Sequence, residues 1–501
     1  MFFHRTFHPD EANQAFTAGT LLETGHYSYK PSDHHGPTLY YAAAPLQKAF
    51  GHHDTASLDG TLLRCTPLLF AVLALILAFL GVRKATKNTA AALFSCSLLA
   101  VAPIFAFYSS DFIQEMLLAA FFVAMFWAGI NYLRHPSRLK DAGETSAASS
   151  VKIKPGTWAI IFGIAAGLAF ATKETSVLGF AAAALAGWCV RPKGQHVRYD
   201  CRALANDGCL AAIAFLLTSI LFFSAFCEDW NGVWNAFVAA PLSYFRRAAG
   251  DAAAGGANWH VHPWWWYSKI LFFPDRICFS LAFLPIVTYP LLFRFRHAKP
   301  LAFLALYSFF LFAFYSTIPY KTPWCMLQVA VPMLLAYGIL LGEIAKGINH
   351  GRVTAFAAFI LPLTVFLLGD IQIWRDPDAR DIPYNYAHAS PKVKELAACV
   401  AAAATSDSQA STSDSQFIAV ALPACDTWPF PWYNRPLNGI TGYWTDFSAL
   451  ENLAKDGKRP TVVVCAAEDG HKVMPLFPHL NRTRRFEMRP RVRVRAFWRE
   501  P

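Results

Sequence analysis

Long apolar runs separated by short polar connections fill the first three quarters of the chain. A bilayer core of about 30 Å takes roughly 20 apolar residues to cross. On that measure spans are predicted at 62–80, 90–107, 112–133, 157–171, 176–190, 209–226, 277–293, 301–318, 326–341 and 354–368. The fourth and fifth runs are short and flank Lys173. Taken separately they bring the total to ten; one long broken helix is the alternative. Beyond residue 370 the runs shorten and alternate with polar positions. A helix over 391–404, a buried strand over 417–422, a helix over 446–455 and strands over 461–466 and 491–498 are expected there. The fold class is therefore a polytopic α-helical membrane protein with a C-terminal extracytoplasmic α/β domain. Its parts are a first external loop over 1–60, a transmembrane helical domain over 61–370 with a long external segment at 228–275, and the α/β domain over 371–501. Residues 38–50 form an amphipathic stretch suited to the membrane interface. No internal repeat is visible, which counts against an inverted-repeat transporter.

The charges orient these spans. Every second connection is basic: 83–87, 134–154, 191–202, 294–299 and 346–352. Basic connections stay in the cytoplasm, so 1–60, 108–111, 173–174, 228–275, 319–323 and everything after Gly369 face outside. The external first loop has no span before it, and an upstream helix beyond Met1 is expected, self-translocation of the N-terminus being the alternative.

Composition agrees with the pattern. The chain of 501 residues is 55% hydrophobic and 15% charged, against about 45–50% and about 25% in soluble domains. A water-soluble enzyme is excluded, and 43 Phe with 15 Trp exclude disorder. The net charge of +11 comes from the cytoplasmic loops and an arginine-rich tail, so nucleic acid is not a partner. The eleven cysteines are scattered without a CxxC; Cys425 and Cys465 either pair or stay as free buried thiols. No P-loop, GxGxxG after a strand, HExxH or GxSxG is present. An outward-facing enzyme without a nucleotide site needs its activated donor carried by lipid.

Candidate chemistry gathers on the external side. His8-Pro9-Asp10-Glu11-Ala12-Asn13-Gln14 places two carboxylates at a helix start, where capping alone explains acids. Asp111 and Glu115 share one helical face, and Glu115 lies inside an apolar run, where a charge is costly and usually functional. Lys173 and Lys321 occupy tight external turns. Snorkelling explains a lone lysine, but not the acid beside Lys173 or the Tyr320/Trp324 bracket around Lys321. A lipid phosphate would use both cations as point charges. His34 and His35 could contact phosphate or metal, or lie on the loop surface. Trp264-Trp265-Trp266 reads as an aromatic belt, or as a stacking wall for a sugar or prenyl chain.

In this order and topology the chain resembles the GT-C superfamily of membrane glycosyltransferases. That class includes the family 39-like protein O-mannosyltransferases and the aminoarabinose transferases, and the likeness is strongest to the flippase-activity-associated branch. The stretches that carry it are His8 to Gln14, His34-His35-Gly36-Pro37-Thr38-Leu39-Tyr40-Tyr41, Asp111 to Glu115, Phe170 to Ser176, Ile318 to Trp324 and Trp428-Pro429-Phe430-Pro431-Trp432-Tyr433. The resemblance implies a catalytic role for Asp10 with Glu11 adjacent, and for Asp111 and Glu115. It implies inverting transfer of a hexosyl or pentosyl group from a polyprenyl-phosphate sugar to a hydroxyl on a glycan, protein or lipid acceptor. On this reading Asp10 is the general base, and Asp111 or Glu115 orients the acceptor or a divalent cation, whose requirement is open. Lys173, Lys321, Tyr320, His34 and His35 bind the donor's lipid phosphate. The expected location is the inner (plasma) membrane, among its lipids. Two other readings stand beside it: a flippase-associated component, and a non-catalytic scaffold.

Overall fold

The computed structural model describes residues 5–31, 35–135, 153–191, 201–248, 260–271, 273, 299–347, 350–376, 378–386, 388–408 and 417–499. Six described helices are long and apolar enough to cross a membrane: Gly60–Thr86, Glu115–Leu133, Arg202–Phe223, Lys299–Thr317, Pro323–Gly347 and Gly351–Arg375. Three shorter apolar helices join them, Thr89–Ala100, Pro155–Phe170 and Ser176–Val190. The chain is thus a multi-pass helical membrane protein. The runs flanking Lys173 form two separate helices, as the ten-span count requires. The span expected at 277–293 lies outside the described residues.

One expected span is broken. The run at 90–107 divides into Thr89–Ala100 and Pro103–Tyr108. Pro103 starts the second helix, and a residue before proline is pushed out of the helical region, here Ala102 at ψ 124°. The Pro323–Gly347 helix is buried along Leu327–Gly342 within the bundle. It reaches Thr89–Ala100 so closely that a Cβ on Gly338 would fall 2.3 Å from the Ser95 backbone nitrogen. Such close helix contact, built on small residues, replaces the hydrophobic drive that lipid does not supply.

The C-terminal domain carries a five-stranded sheet in the order β2-β1-β3-β5-β4. Its strands are β1 (Ile418–Ala421), β2 (Thr441–Trp444), β3 (Val462–Ala466), β4 (Arg482–Arg489) and β5 (Val492–Trp498). β1 runs parallel to β2 and β3, whereas β5 runs antiparallel to β3 and β4. Helix Lys392–Ser408 covers one face through Val393, Leu396 and Val400, and Ser448–Lys455 contributes Leu450 on the other. Cys465 is a free buried thiol, the second of the two alternatives for it. The strands β2 and β4 were not predicted. β4 opens on four exposed residues, Arg482 to Arg485, and only Phe486 and Met488 turn inward, so its apolar alternation is too short to read.

Candidate active site

The helix Pro9–Thr24 begins as the sequence suggests. The Asp10 amide donates to His8 Nδ1 at 3.1 Å, and the His8 amide donates to Glu11 Oε2 at 3.0 Å. The two acids then part company. Glu11 is fully buried and receives Arg64 Nε at 2.8 Å, Arg64 Nη2 at 2.7 Å and the Phe112 amide at 2.9 Å. Burial would raise its pKa, but Arg64, Arg5 and the Phe112 amide hold the carboxyl well below the usual range. With its oxygens so occupied, Glu11 fastens the first loop to the bundle and has no lone pair to offer a substrate. Asp111 is buried beside it and takes Arg5 Nη2 at 2.8 Å. Burial and the Glu11 charge push Asp111 upward, against the two arginines. Glu11→Gln leaves Arg64 charged and unmatched in a buried site, so a loss of about 3 kcal/mol of stability is expected. Unfolding of the purified protein measures it, and E11Q/R64M should recover part of the loss.

A second buried pair lies one turn along. Glu115 binds Lys173, and the Gln328 side chain holds the Glu115 carbonyl at 2.8 Å. Burial would lower the Lys173 pKa most, but the charge of Glu115, its hydrogen bond and further charges nearby together turn the net shift upward. The Lys173 charge is therefore already matched within the protein. Its neighbour Glu174 takes His35 Nδ1 at 3.0 Å and the Tyr29 hydroxyl. Gly36 then lies so tightly on this turn that a Cβ would fall 2.1 Å from the Ala171 oxygen. His35 thus ties the first loop to the Lys173 turn, and His34 lies outside the described residues.

Lys321 is different. Its side chain is buried, and Nζ donates to the carbonyls of Ser316 at 2.9 Å and of Ile318. No carboxylate pairs with it among the described residues. Burial lowers its pKa. Its backbone amide donates to the His260 carbonyl at 2.8 Å, and an isolated bridge joins Val261 to Tyr320. The His260 ring packs on Tyr320 at 4.6 Å, and His260 Nδ1 lies 3.2 Å from the Tyr386 hydroxyl. Burial, then Lys321 and Lys269, push His262 toward its neutral form. Trp266 stacks flat on His262 at 4.2 Å, whereas Trp264 is 70% exposed. The tryptophan run therefore splits between an inward wall and an outward face. Tyr386 closes the circle. Its carbonyl lies 2.7 Å from His8 Nε2, and burial, Tyr320 and Asp10 all raise the pKa of its phenol. The Asp10 side chain at this edge is 49% exposed, 3.8 Å from His8 Nδ1. Asp10 is thus linked through His8 to Tyr386, and Tyr386 through His260 to Tyr320 and Lys321.

The C-terminal region latches the first loop in place. Thr6 donates to Asp378 through its amide at 3.2 Å and its hydroxyl at 3.3 Å, and His388 Nε2 lies 3.0 Å from Asp378. Phe7 stacks on Trp432 at 4.6 Å, and its amide donates to the Tyr433 hydroxyl at 2.8 Å. Burial pushes His388 down to about 4 from 6.5. Burial would raise Asp378, but the hydrogen bond from His388 holds it below its ordinary value. Between pH 6.5 and 4 the unfolded state therefore binds a proton at His388 that the folded state refuses, and stability falls as pH falls. The full shift is worth about 3 kcal/mol. His388→Gln should flatten the melting-temperature profile across that window; an unchanged slope would assign it to other groups.

Known structures share this architecture. ArnT from Cupriavidus metallidurans bound to undecaprenyl phosphate matches with a TM-score of 0.62 and 15% identity, over 98% of this chain and 94% of that one. The archaeal oligosaccharyltransferase AglB from Archaeoglobus fulgidus, in complex with an inhibitory peptide and a dolichol-phosphate, matches with a TM-score of 0.56 and 13% identity. That match covers 93% of this chain and 66% of AglB. No family model matches the sequence, and no curated protein matches it at the sequence level. The chain shares the fold of these two structures.

Within this fold the structure adds residues that sequence reading missed. Arg64 sits early in a span, where a charge demands a partner, so it was detectable. Arg5, Asp378, Tyr386 and His388 were not, because they act through partners 106, 372, 126 and 10 positions away respectively. Among the described residues no group of three His, Cys, Asp or Glu side chains could hold a metal ion. Asp111 and Glu115, the residues expected to orient a divalent cation, already bind Arg5 and Lys173. This donor set does not fit a metal.

Proposed function

We propose that the protein is an integral-membrane glycosyltransferase. It would move a sugar from a polyprenyl-phosphate donor to a hydroxyl acceptor on the extracytoplasmic face of the inner membrane. The observation that carries this reading is Lys321, a buried ammonium held by two carbonyls and the Tyr267 ring with no carboxylate among the described residues, linked through Tyr386 and His8 to the half-exposed Asp10. A buried cation without a counter-charge is costly unless an anion arrives, and the phosphate of the donor is such an anion. The undecaprenyl phosphate of the ArnT structure and the dolichol-phosphate of the AglB structure support that class of donor.

In the reaction, Asp10 accepts the proton of the acceptor hydroxyl as its oxygen attacks the anomeric carbon. The bond from that carbon to the phosphate oxygen breaks, and the electron pair leaves with the lipid phosphate. Attack from the opposite side inverts the anomeric centre. Lys321 stabilises the charge growing on the leaving oxygen, while Tyr386 and His262 stay neutral beside it and donate hydrogen bonds. Glu11, Asp111, Glu115, Lys173 and His35 position the loops rather than touch substrate, since each is engaged within the protein.

A flippase-associated role fits less well. A transporter places its charges at the bilayer midplane between repeats, whereas these groups gather where loops 5–10, 108–115, 319–326 and 378–388 meet. Purified protein incubated with a panel of polyprenyl-phosphate hexoses and pentoses should release polyprenyl phosphate with at least one donor. Release with none, in the presence of glycan, peptide and lipid acceptors, would overturn the proposal.

A further inference from the structure

A cavity of about 980 Å³ lies in the C-terminal domain, away from the Asp10 surface. It opens at the carboxyl ends of β1 and β3, lined there by Leu422 and Pro423 on one side and by Ala466, Ala467 and Glu468 on the other. The chain leaves β1 toward β2 and leaves β3 toward the β4–β5 side, so the two strands diverge at this point. In open α/β sheets the crevice beyond such a divergence is where ligands bind.

The charge of the cavity is specific. Arg380, Lys392, Arg485, Arg491 and Arg493 line it, with Asp426, Glu468 and Glu487 as the acids. Glu487 is taken by Arg380 at 2.7 Å, and Asp426 by Arg489 at 2.6 Å. Lys392, Arg485, Arg491 and Arg493 keep no ion-pair partner among the described residues. Two features show that the fold accepts a cost to hold them. Arg485 stands directly across from Arg495 in the β4–β5 ladder, a like-charge pair that destabilises a sheet. Arg491 occupies the second position of the two-residue turn Pro490-Arg491 with φ 70°, where glycine is the unstrained choice.

We propose that this cleft binds an anionic glycan, its phosphate or carboxylate groups on the arginines and a ring face on the exposed Pro423. The volume is at the upper end of the roughly 300–1,000 Å³ of ligand pockets, enough for several sugar rings. The chain ties the cleft to the first loop. Arg380 is two residues, at most about 7 Å of backbone, from the Asp378 that holds Thr6. As the docking site of an acceptor the cleft rests on the transferase reading; as an anion site it does not.

Binding of tetragalacturonate to the full-length protein, without any donor lipid, tests the cleft by itself. In nanodiscs of zwitterionic lipid, tetragalacturonate should bind with an affinity that falls as salt rises, and neutral cellotetraose should not bind. Arg491→Gly removes a cation and relieves the turn, so it should weaken binding about tenfold, the worth of one charge-assisted hydrogen bond, with the melting temperature held or raised. R485S/R493S should weaken it further. Equal binding of the neutral and charged tetrasaccharides, or undiminished binding by folded R491G and R485S/R493S, would overturn the proposal. Loss of binding in nanodiscs of anionic lipid would overturn it too, by assigning the cations to lipid head groups. Transfer without glycan binding would sink the cleft and spare the transferase; binding without transfer would do the reverse.

Discussion

Asp10→Asn should lower the rate of sugar transfer by up to about 10⁴-fold, the upper range for removing a positioned general base, while leaving the protein folded. The second half of that expectation follows from its surroundings. Glu11, the adjacent acid, is saturated by Arg64 and two backbone amides, whereas Asp10 is 49% exposed and, among the described residues, its carboxylate pairs with His8 alone, at 3.8 Å. Asparagine keeps the shape and the backbone cap onto His8 Nδ1, so the change in stability should stay within about 0.5 kcal/mol. The decisive measurement is polyprenyl-phosphate release by wild type and folded D10N under the same conditions. A D10N protein with wild-type turnover would remove Asp10 from the chemistry.

Lys321→Met should cost about 10³-fold in transfer, comparable to losing one strong stabiliser of developing charge, yet should not destabilise the fold. The reasoning rests on the imbalance at this residue. Lys173, equally buried, has Glu115, whereas Lys321 has the carbonyls of Ser316 and Ile318 and no carboxylate among the described residues. Desolvating an ammonium for so little return is unfavourable in the resting protein, and methionine fills the same space without that cost. Loss of activity with a held or raised melting temperature therefore separates donor binding from a structural role. Binding of polyprenyl phosphate should weaken in parallel. If K321M melts lower and binds polyprenyl phosphate as wild type does, Lys321 serves the fold instead.

The site was partly legible in advance, and the limits have physical causes. Asp10, Tyr320 and Lys321 stood out because charge or a polar ring beside an apolar run is rare and expensive. The same rule flagged Glu11, Asp111, Glu115 and Lys173, but it does not say whether a costly charge awaits a substrate or a partner elsewhere in the chain. Glu11 finds Arg64 at a separation of 53 positions, and Glu115 finds Lys173 at 58. Pairing over such distances leaves no periodic trace. The Tyr386 and His388 segment was invisible for a related reason: it belongs to no helix or strand and acquires its meaning by touching His8 and Asp378.

The sequence by itself determined the solvent of each segment. Apolar length placed most of the described helices, and the one at Ser176–Val190 falls on the residues that hydropathy gives it. Those features follow from transfer free energies, which are local and additive along the chain. The tertiary structure alone decided which charges are spent. Folding closes the Arg5–Asp111, Arg64–Glu11 and Lys173–Glu115 pairs and leaves Lys321 with carbonyls but no carboxylate among the described residues. Electrostatic matching depends on distance in space and on burial together, and neither quantity is written in the order of residues.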